Sequence, residues 1–243
     1  AFCMHKHALS AWFRTGLRHL LPCACALCGA VQGGLVCSGC IGDLAPQLHR
    51  RRCIQCAIAL ESRHTARHCH ACLAGAPDFD ATVVIADYDW PLDHLVTGLK
   101  FRAQLPLAAW LAGQLGNALA AAPGDLPDVL LPVPLSPARL HSRGYNQAWE
   151  IARRLAHQLN IPAHANALHR VRDNPAQATL DRAERLTNLH GAFVVAEPAR
   201  IVGRHIGVVD DVMTTGTTLG EIATQLKRAG ASRITNVVAL RTP

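Results

Sequence analysis

The sequence predicts an α/β protein, a parallel sheet flanked by helices, preceded by a small N-terminal cysteine-rich module. Three observations carry this prediction. From Pro77 onward, apolar runs of strand length alternate with helical patterns, the order that builds parallel sheets. Eight of the ten cysteines fall in four C-x-x-C pairs before that point. One apolar run, Gly207-Val208-Val209, leads into Asp210-Asp211 and then into a loop rich in threonine around Gly216. That order puts carboxylates and hydroxyls at the carboxyl edge of a buried strand, where open α/β sheets keep their ligand crevice.

The cysteine pairs are Cys25/Cys28, Cys37/Cys40, Cys53/Cys56 and Cys69/Cys72, separated by eight, twelve and twelve residues. A C-x-x-C turn aims two thiolates at one ion and two such knuckles complete a tetrahedral site, so four knuckles predict two structural zinc ions. Other uses of the pairs fit poorly. Gly29, Ile41, Ala57 and Leu73 follow them, so none is a haem-attachment motif. A disulfide framework expects a secretory signal, which is not evident, and a thioredoxin-like pair expects one motif at a βαβ edge. Spacing leaves open which of three pairings the knuckles adopt. Cys3 and Cys23 fall outside the pattern and are expected to be free thiols, while His64, His68 and His70 are alternative ligands against a simpler reading as solvated side chains. A closed tetrathiolate has no open position for chemistry, so the zinc should hold the fold, and its thiolates imply a reducing cytoplasm.

Composition changes near Pro77 and divides the chain into an N-terminal helix and metal module, residues 1–76, and an α/β domain, residues 77–243. The first part holds eight Lys/Arg against two acids, a formal +6 of the chain's +7. That asymmetry suggests a nucleic-acid surface. Two zinc tetrathiolates would add about −4, leaving a much weaker basic patch. Aromatics are 5% of the chain, so no base-stacking platform is obvious. Residues 8–21 read as a short basic amphipathic helix with Trp12, Leu17, Leu20 and Leu21 on its apolar side. It is too short to span a bilayer, and its default role is to dock on the metal module. No transmembrane segment is expected.

In the second part Ala81 to Tyr88 reads as a strand and Leu92 to Phe101 as a short helix. The segment Leu105 to Ala121 is rich in alanine and leucine at helical spacing and should bury one face. Val129 to Val133 is a strand whose exit is stopped by Pro132 and Pro134. A polar stretch from Arg139 to Gln147 suits a polyanion and leads into a helix to about Leu159. Ala167 to Val171 and Ala192 to Val195 are weaker strands. Arg204 to Asp210 is the ligand strand, Leu219 to Arg228 a helix, and Arg233 to Leu240 the strand that closes the sheet.

The loop after the ligand strand offers backbone N–H groups and hydroxyls to a phosphate at a helix start, and the acids suit the vicinal hydroxyls of a pentose. Together they fit a sugar phosphate. A strand end whose Asp merely caps the next helix explains one carboxylate, but not a second together with four threonines around a glycine. The chain has neither a G-x-x-x-x-G-K-[ST] nor a G-x-G-x-x-G, which argues against nucleotide hydrolysis of the P-loop kind.

Gly207 to Thr218 closely resembles the phosphoribosyl-diphosphate (PRPP) loop of type I phosphoribosyltransferases. The resemblance implies that Asp210 and Asp211 contact the ribose 2′ and 3′ hydroxyls and that Thr214, Thr215, Gly216, Thr217 and Thr218 hold the 5′-phosphate, with Mg²⁺ accompanying PRPP. The four knuckles, Leu99-Lys100-Phe101, Pro132-Val133-Pro134-Leu135, Arg143-Gly144-Tyr145-Asn146-Gln147, Arg170, Gln177, Glu184-Arg185 and Asn188 occur in the order seen in the ComF/GntX group. In that group a double zinc ribbon precedes a phosphoribosyltransferase-like domain. This resemblance covers nearly the whole chain; Tyr145 stands where Phe is usual. It implies a diphosphate loop at Val133 to Ser136, including Val133 and Pro134, and makes Arg143 the candidate catalytic cation, with Lys100 and Arg139 behind it. It also implies service in DNA uptake during competence, the zinc module contacting single-stranded DNA or competence-machinery proteins. The alternative is an active phosphoribosyltransferase of nucleotide or related metabolism, whose acceptor the sequence does not identify.

Overall fold

The structure, a computed structural model, describes residues 23–61, 65–171 and 191–243. The chain forms two compact units that meet in sequence at Pro46 and Gln47. Cys3, His64, the 8–21 segment, Gln177, Glu184, Arg185 and Asn188 lie outside the described residues.

The smaller unit carries a short antiparallel pair, β1 (Cys23–Ala24) and β2 (Val31–Gln32). Between them the chain turns tightly: Cys25 N–H donates to Ala30 O at 2.8 Å and Gly29 N–H to Cys25 O at 2.9 Å. Gly29 takes φ +77°, a conformation glycine adopts without steric cost. Helix α1 (Ser38–Leu48) follows Cys37 and runs through Pro46.

The larger unit, from Gln47, contains the third and fourth knuckles as well as the sheet. Its first turn repeats the geometry of the smaller unit. Cys53 N–H donates to Ile58 O at 2.9 Å, Ala57 N–H to Cys53 O at 2.8 Å, and Ala57 sits at φ +57° where Gly29 stands in the first turn. Helix α2 (His70–Ala74) carries Cys72. Four parallel strands make the main sheet among the described residues: β3 (Ala81–Asp87), β4 (Val129–Pro132), β7 (His205–Met213) and β8 (Arg233–Arg241), in the order β3-β8-β7-β4. The expected parallel α/β sheet is thus present, but β8 lies inside it and does not close an edge. Among the described residues the two weaker strands, β5 (Leu168–Arg170) and β6 (Phe193–Val195), pair only with each other, antiparallel.

Helices α3 (Asp93–Phe101), α4 (Pro106–Ala121), α5 (Pro137–Arg143), α6 (Gln147–Leu159) and α7 (Thr217–Arg228) flank the sheet. Helix α4 buries Leu107, Leu111, Leu115 and Leu119, the expected single face. Helix α5 breaks the polar stretch in two: Ser136 caps its start by accepting from Arg139 N–H at 3.4 Å, and Gly144 ends it at φ +79°. Asn146 then starts α6, accepting from Ala148 N–H at 2.9 Å while its amide donates to Val133 O at 3.0 Å.

The ligand strand is packed without slack. A Cβ built on Gly207 would lie 2.5 Å from Leu130 Cδ2 and 3.0 Å from Pro127 Cγ, and Leu130 is wholly buried. Gly207→Ala should therefore destabilise the protein by about 1–3 kcal/mol through overpacking, read as a lower urea midpoint at an unchanged denaturant slope.

Candidate functional site

The cysteines gather into two groups, Cys25, Cys28, Cys37 and Cys40 in one and Cys53, Cys56, Cys69 and Cys72 in the other, with all four sulfurs of each within 4.8 Å of one another. Knuckles adjacent in sequence therefore pair. Sulfur separations are 3.9 Å for Cys25 and Cys40, 3.7 Å for Cys28 and Cys37, and 3.6 Å for Cys56 and Cys69. A tetrahedron with Zn–S of about 2.3 Å has edges of ~3.8 Å, so both groups fit zinc. Backbone N–H groups also point at the sulfurs, from Cys37 to Cys25 at 3.4 Å and from Cys69 to Cys53 at 3.3 Å, the outer-shell support expected of thiolate ligands. His68 and His70 stand outside both groups, as does Cys23, whose thiol lies 3.2 Å from Gly34 O.

The second constellation is built at the end of β7, and strand pairing positions it. On one side β4 pairs with β7 only as far as Val209, where Val133 N–H donates to Val209 O at 2.9 Å. On the other side β8 stays paired through Met213. The strand thus runs three residues beyond the expected end at Asp210, because one neighbour continues to hold it. Asp210 and Asp211 lie where one edge is open and the other is fixed.

Successive side chains on a strand face opposite ways, and the two acids separate accordingly. Asp210 lines a hollow of about 40 Å³ together with Met213, Thr214, Thr215, Gly216, Thr217 and Thr218. Asp211 is buried and its Oδ2 lies 3.0 Å from Lys100 Nζ. No side chain caps α7; Gly216 occupies its N-cap at φ +81°. Thr217 N–H reaches only Thr215 Oγ1 at 3.4 Å, and that hydroxyl meets Thr217 Oγ1 at 2.7 Å. An uncapped helix start lined by hydroxyls is a ready anion site. The positive φ favours glycine at this position, and a Cβ on Gly216 would meet Met213 Cε, the flexible end of that side chain, at 2.5 Å.

Lys100 also lines a neighbouring hollow of about 240 Å³ with Phe101, Ala103, Ser142, Arg143 and Tyr145. Arg143 bonds Gln147 Oε1 and places its guanidinium 5.5 Å from the Phe101 ring centre. Lys100, which meets Asp211, thus shares a hollow with Arg143. Val133 and Pro134 are buried at the end of β4, whereas Arg139 is exposed and Ser136 spends its hydroxyl on the α5 cap.

Electrostatics separate the two acids further. Burial, and then the neighbouring Asp211 carboxylate, push the Asp210 carboxyl well above the usual carboxylate range, with Lys100 pulling the other way. One residue at this end of the sheet gives no signal in the sequence beyond a charge after an apolar run: Arg241, buried at the end of β8.

Over 208 residues the chain is 34% identical to Competence protein F of Haemophilus influenzae, an alignment covering 82% of this chain and 87% of that protein. The chain belongs to the ComF/GntX family. A second ComF relative, DNA utilization protein YhgH of Salmonella typhimurium, is 34% identical over 221 residues, 88% of this chain and 95% of that one. No protein-family model matches the chain. Among solved structures, this ComF chain is similar to a glutamine PRPP amidotransferase from B. subtilis complexed with ADP and GMP, at 22% identity and a TM-score of 0.36, over 54% of this chain and 26% of that one.

Elemental analysis of protein purified without chelator should give about two zinc ions per chain, falling to about one in Cys28→Ser and in Cys69→Ser. The raised Asp210 pKa has a definite sign. The folded carboxyl keeps its proton to higher pH than the unfolded one, so ionising it costs stability as pH rises from about 4 through the folded value. Asp210→Asn should therefore raise Tm by a few degrees at pH 7.5, the gap closing towards pH 4, in thermal denaturation monitored by circular dichroism.

Proposed function

We propose that this chain is a PRPP-binding, phosphoribosyltransferase-like protein serving DNA uptake in natural competence. One observation carries the ligand reading: Asp210 faces the same hollow as an uncapped helix start lined by Thr214, Thr215, Gly216, Thr217 and Thr218. A carboxylate set beside a phosphate cradle repels a bare polyanion and suits a ligand with hydroxyls near its phosphate. In this reading Asp210 and Asp211 accept from the ribose hydroxyls and the loop donates to the 5′-phosphate. Lys100 is displaced from Asp211 towards the diphosphate, which lies along Val133 and Pro134, and Arg143 neutralises its outer oxygens. Mg²⁺ bound with PRPP would supply further positive charge to the diphosphate.

The names of the relatives support the competence role. Among the described residues no helix is long and apolar enough to cross a membrane. A cytoplasmic location goes with thiolates that must stay reduced, and the zinc module, taken as residues 1–76 ahead of a domain at 77–243, is the proposed contact for single-stranded DNA or for other competence proteins. A second reading, turnover as a phosphoribosyltransferase, is favoured by Lys100, which meets Asp211, sharing a hollow with Arg143, since a leaving diphosphate needs such cations.

Calorimetry should show PRPP binding in the presence of Mg²⁺. Replacing both acids with asparagine should weaken it by more than about tenfold, since each charged hydrogen bond is worth roughly 1.5–3 kcal/mol. No heat with intact wild-type protein removes the reading. Pyrophosphate release with a base or nucleotide acceptor would select turnover. Gel shifts with single-stranded DNA at two salt concentrations test the DNA contact, whose affinity should fall steeply as salt rises.

A further inference from the structure

We propose that Arg241 is a positioning residue that couples the second Cys₄ site to the phosphate loop; this rests on the reading of Thr214 to Thr218 as a phosphate cradle. The guanidinium is buried at the end of β8 and reaches both sites. Its Nε donates to the carbonyl of Cys56, one of the four cysteines, at 3.0 Å. Its Nη1 donates to Met213 O at 3.3 Å and also to Thr214 O and Thr242 O. Only a planar fork with several donors satisfies so many carbonyls at once.

The consequence for the loop follows from peptide geometry. In a trans peptide the C=O of one residue points opposite to the N–H of the next. Holding the Met213 and Thr214 carbonyls towards Arg241 therefore turns the N–H groups of Thr214 and Thr215 away from it, on the side opposite the guanidinium. The knuckle end of the strut is fixed as well. Gln55, between Cys53 and Cys56, donates to Pro77 O at 3.1 Å and to Phe79 O at 3.0 Å, and the Phe79 ring lies 3.9 Å from where a Gly216 Cβ would stand. Cys56, Cys69 and Cys72 share the lining of a groove of about 650 Å³ with Met213 to Thr217, and Arg241 belongs to the same lining.

Cys53, Cys56, Cys69 and Cys72 would hold the metal, which would fix the Cys56 carbonyl that holds the arginine orienting the loop. Coupling between two sites is reciprocal, so a ligand on the loop must also make the second zinc harder to remove. The test follows equilibrium competition for zinc between the full-length, two-zinc protein and a chromogenic chelator, with and without saturating ribose 5-phosphate. In wild type, one of the two zinc ions should be held about fivefold more tightly with the sugar phosphate bound. Cys28→Ser, which lacks the first site, should keep that protection. Arg241→Met should lose it while retaining two zinc ions and should bind ribose 5-phosphate about tenfold more weakly; Arg241→Lys, a single point donor, should fall between. If ribose 5-phosphate binds wild type but leaves both zinc affinities unchanged, the coupling is overturned and the loop assignment stands. If it does not bind wild type at all, the loop assignment fails and the coupling with it. The wild-type comparison needs no variant, so it decides the coupling even where Arg241→Met fails to fold.

Discussion

The unequal pairing of β7 is the constraint on which the rest depends. Its β4 side is released after Val209, while its β8 side is held through Met213. Release on one side opens an edge for Asp210 and for the loop behind it. Retention on the other keeps the strand straight enough that its last residues emerge at a fixed height over the sheet. Had both ladders ended together, the acids would lie in a mobile turn; had both continued, they would be sealed inside. The register of four strands thus becomes the geometry of one crevice.

The same placement creates a charge problem that the fold only partly solves. Two neighbouring carboxylates are drawn into partly desolvated surroundings, and Lys100 pairs directly with Asp211 while offsetting only part of the effect on Asp210. Asp210 is left with its burial and its neighbour's charge, which is why its proton is held so firmly. An arrangement that is uncomfortable when empty is an expected cost of a site organised for a polar guest. Around it the chain uses unstrained devices: an N-capping serine before α5, an asparagine that caps α6 while tying down Val133, and glycines with positive φ at the end of α5 and the start of α7.

Features whose logic is local were legible in the sequence. The C-x-x-C spacing announced tetrathiolate sites because the two sulfurs of a knuckle are fixed by its own turn, and the run from Val208 to Thr218 announced a strand, an acidic end and a helix start. The central helices followed from apolar spacing. What depended on distant partners was not legible. Which knuckles join is settled by the path of the chain between Cys28 and Cys37 and between Cys56 and Cys69, which the spacing does not encode. That Asp210 faces the loop while Asp211 faces Lys100 depends on strand handedness and on a helix far away in sequence. The short runs near Leu168 and Phe193 looked like strands but not like a separate antiparallel pair. The change of composition at Pro77 marked a boundary of chemistry, whereas packing joins the third and fourth knuckles to the sheet from Gln47 onward. Arg241 drew no reading from the sequence, because nothing adjacent to it reveals the carbonyls it meets.

The most direct measurement is a crystal structure of the full chain grown with PRPP and Mg²⁺. The 5′-phosphate should rest on the backbone N–H groups and hydroxyls of Thr214 to Thr218, with the ribose hydroxyls within hydrogen-bond reach of the Asp210 and Asp211 carboxylates. A ligand seated elsewhere, or one whose 5′-phosphate points away from that loop, would contradict the division of labour between the acids and the helix start.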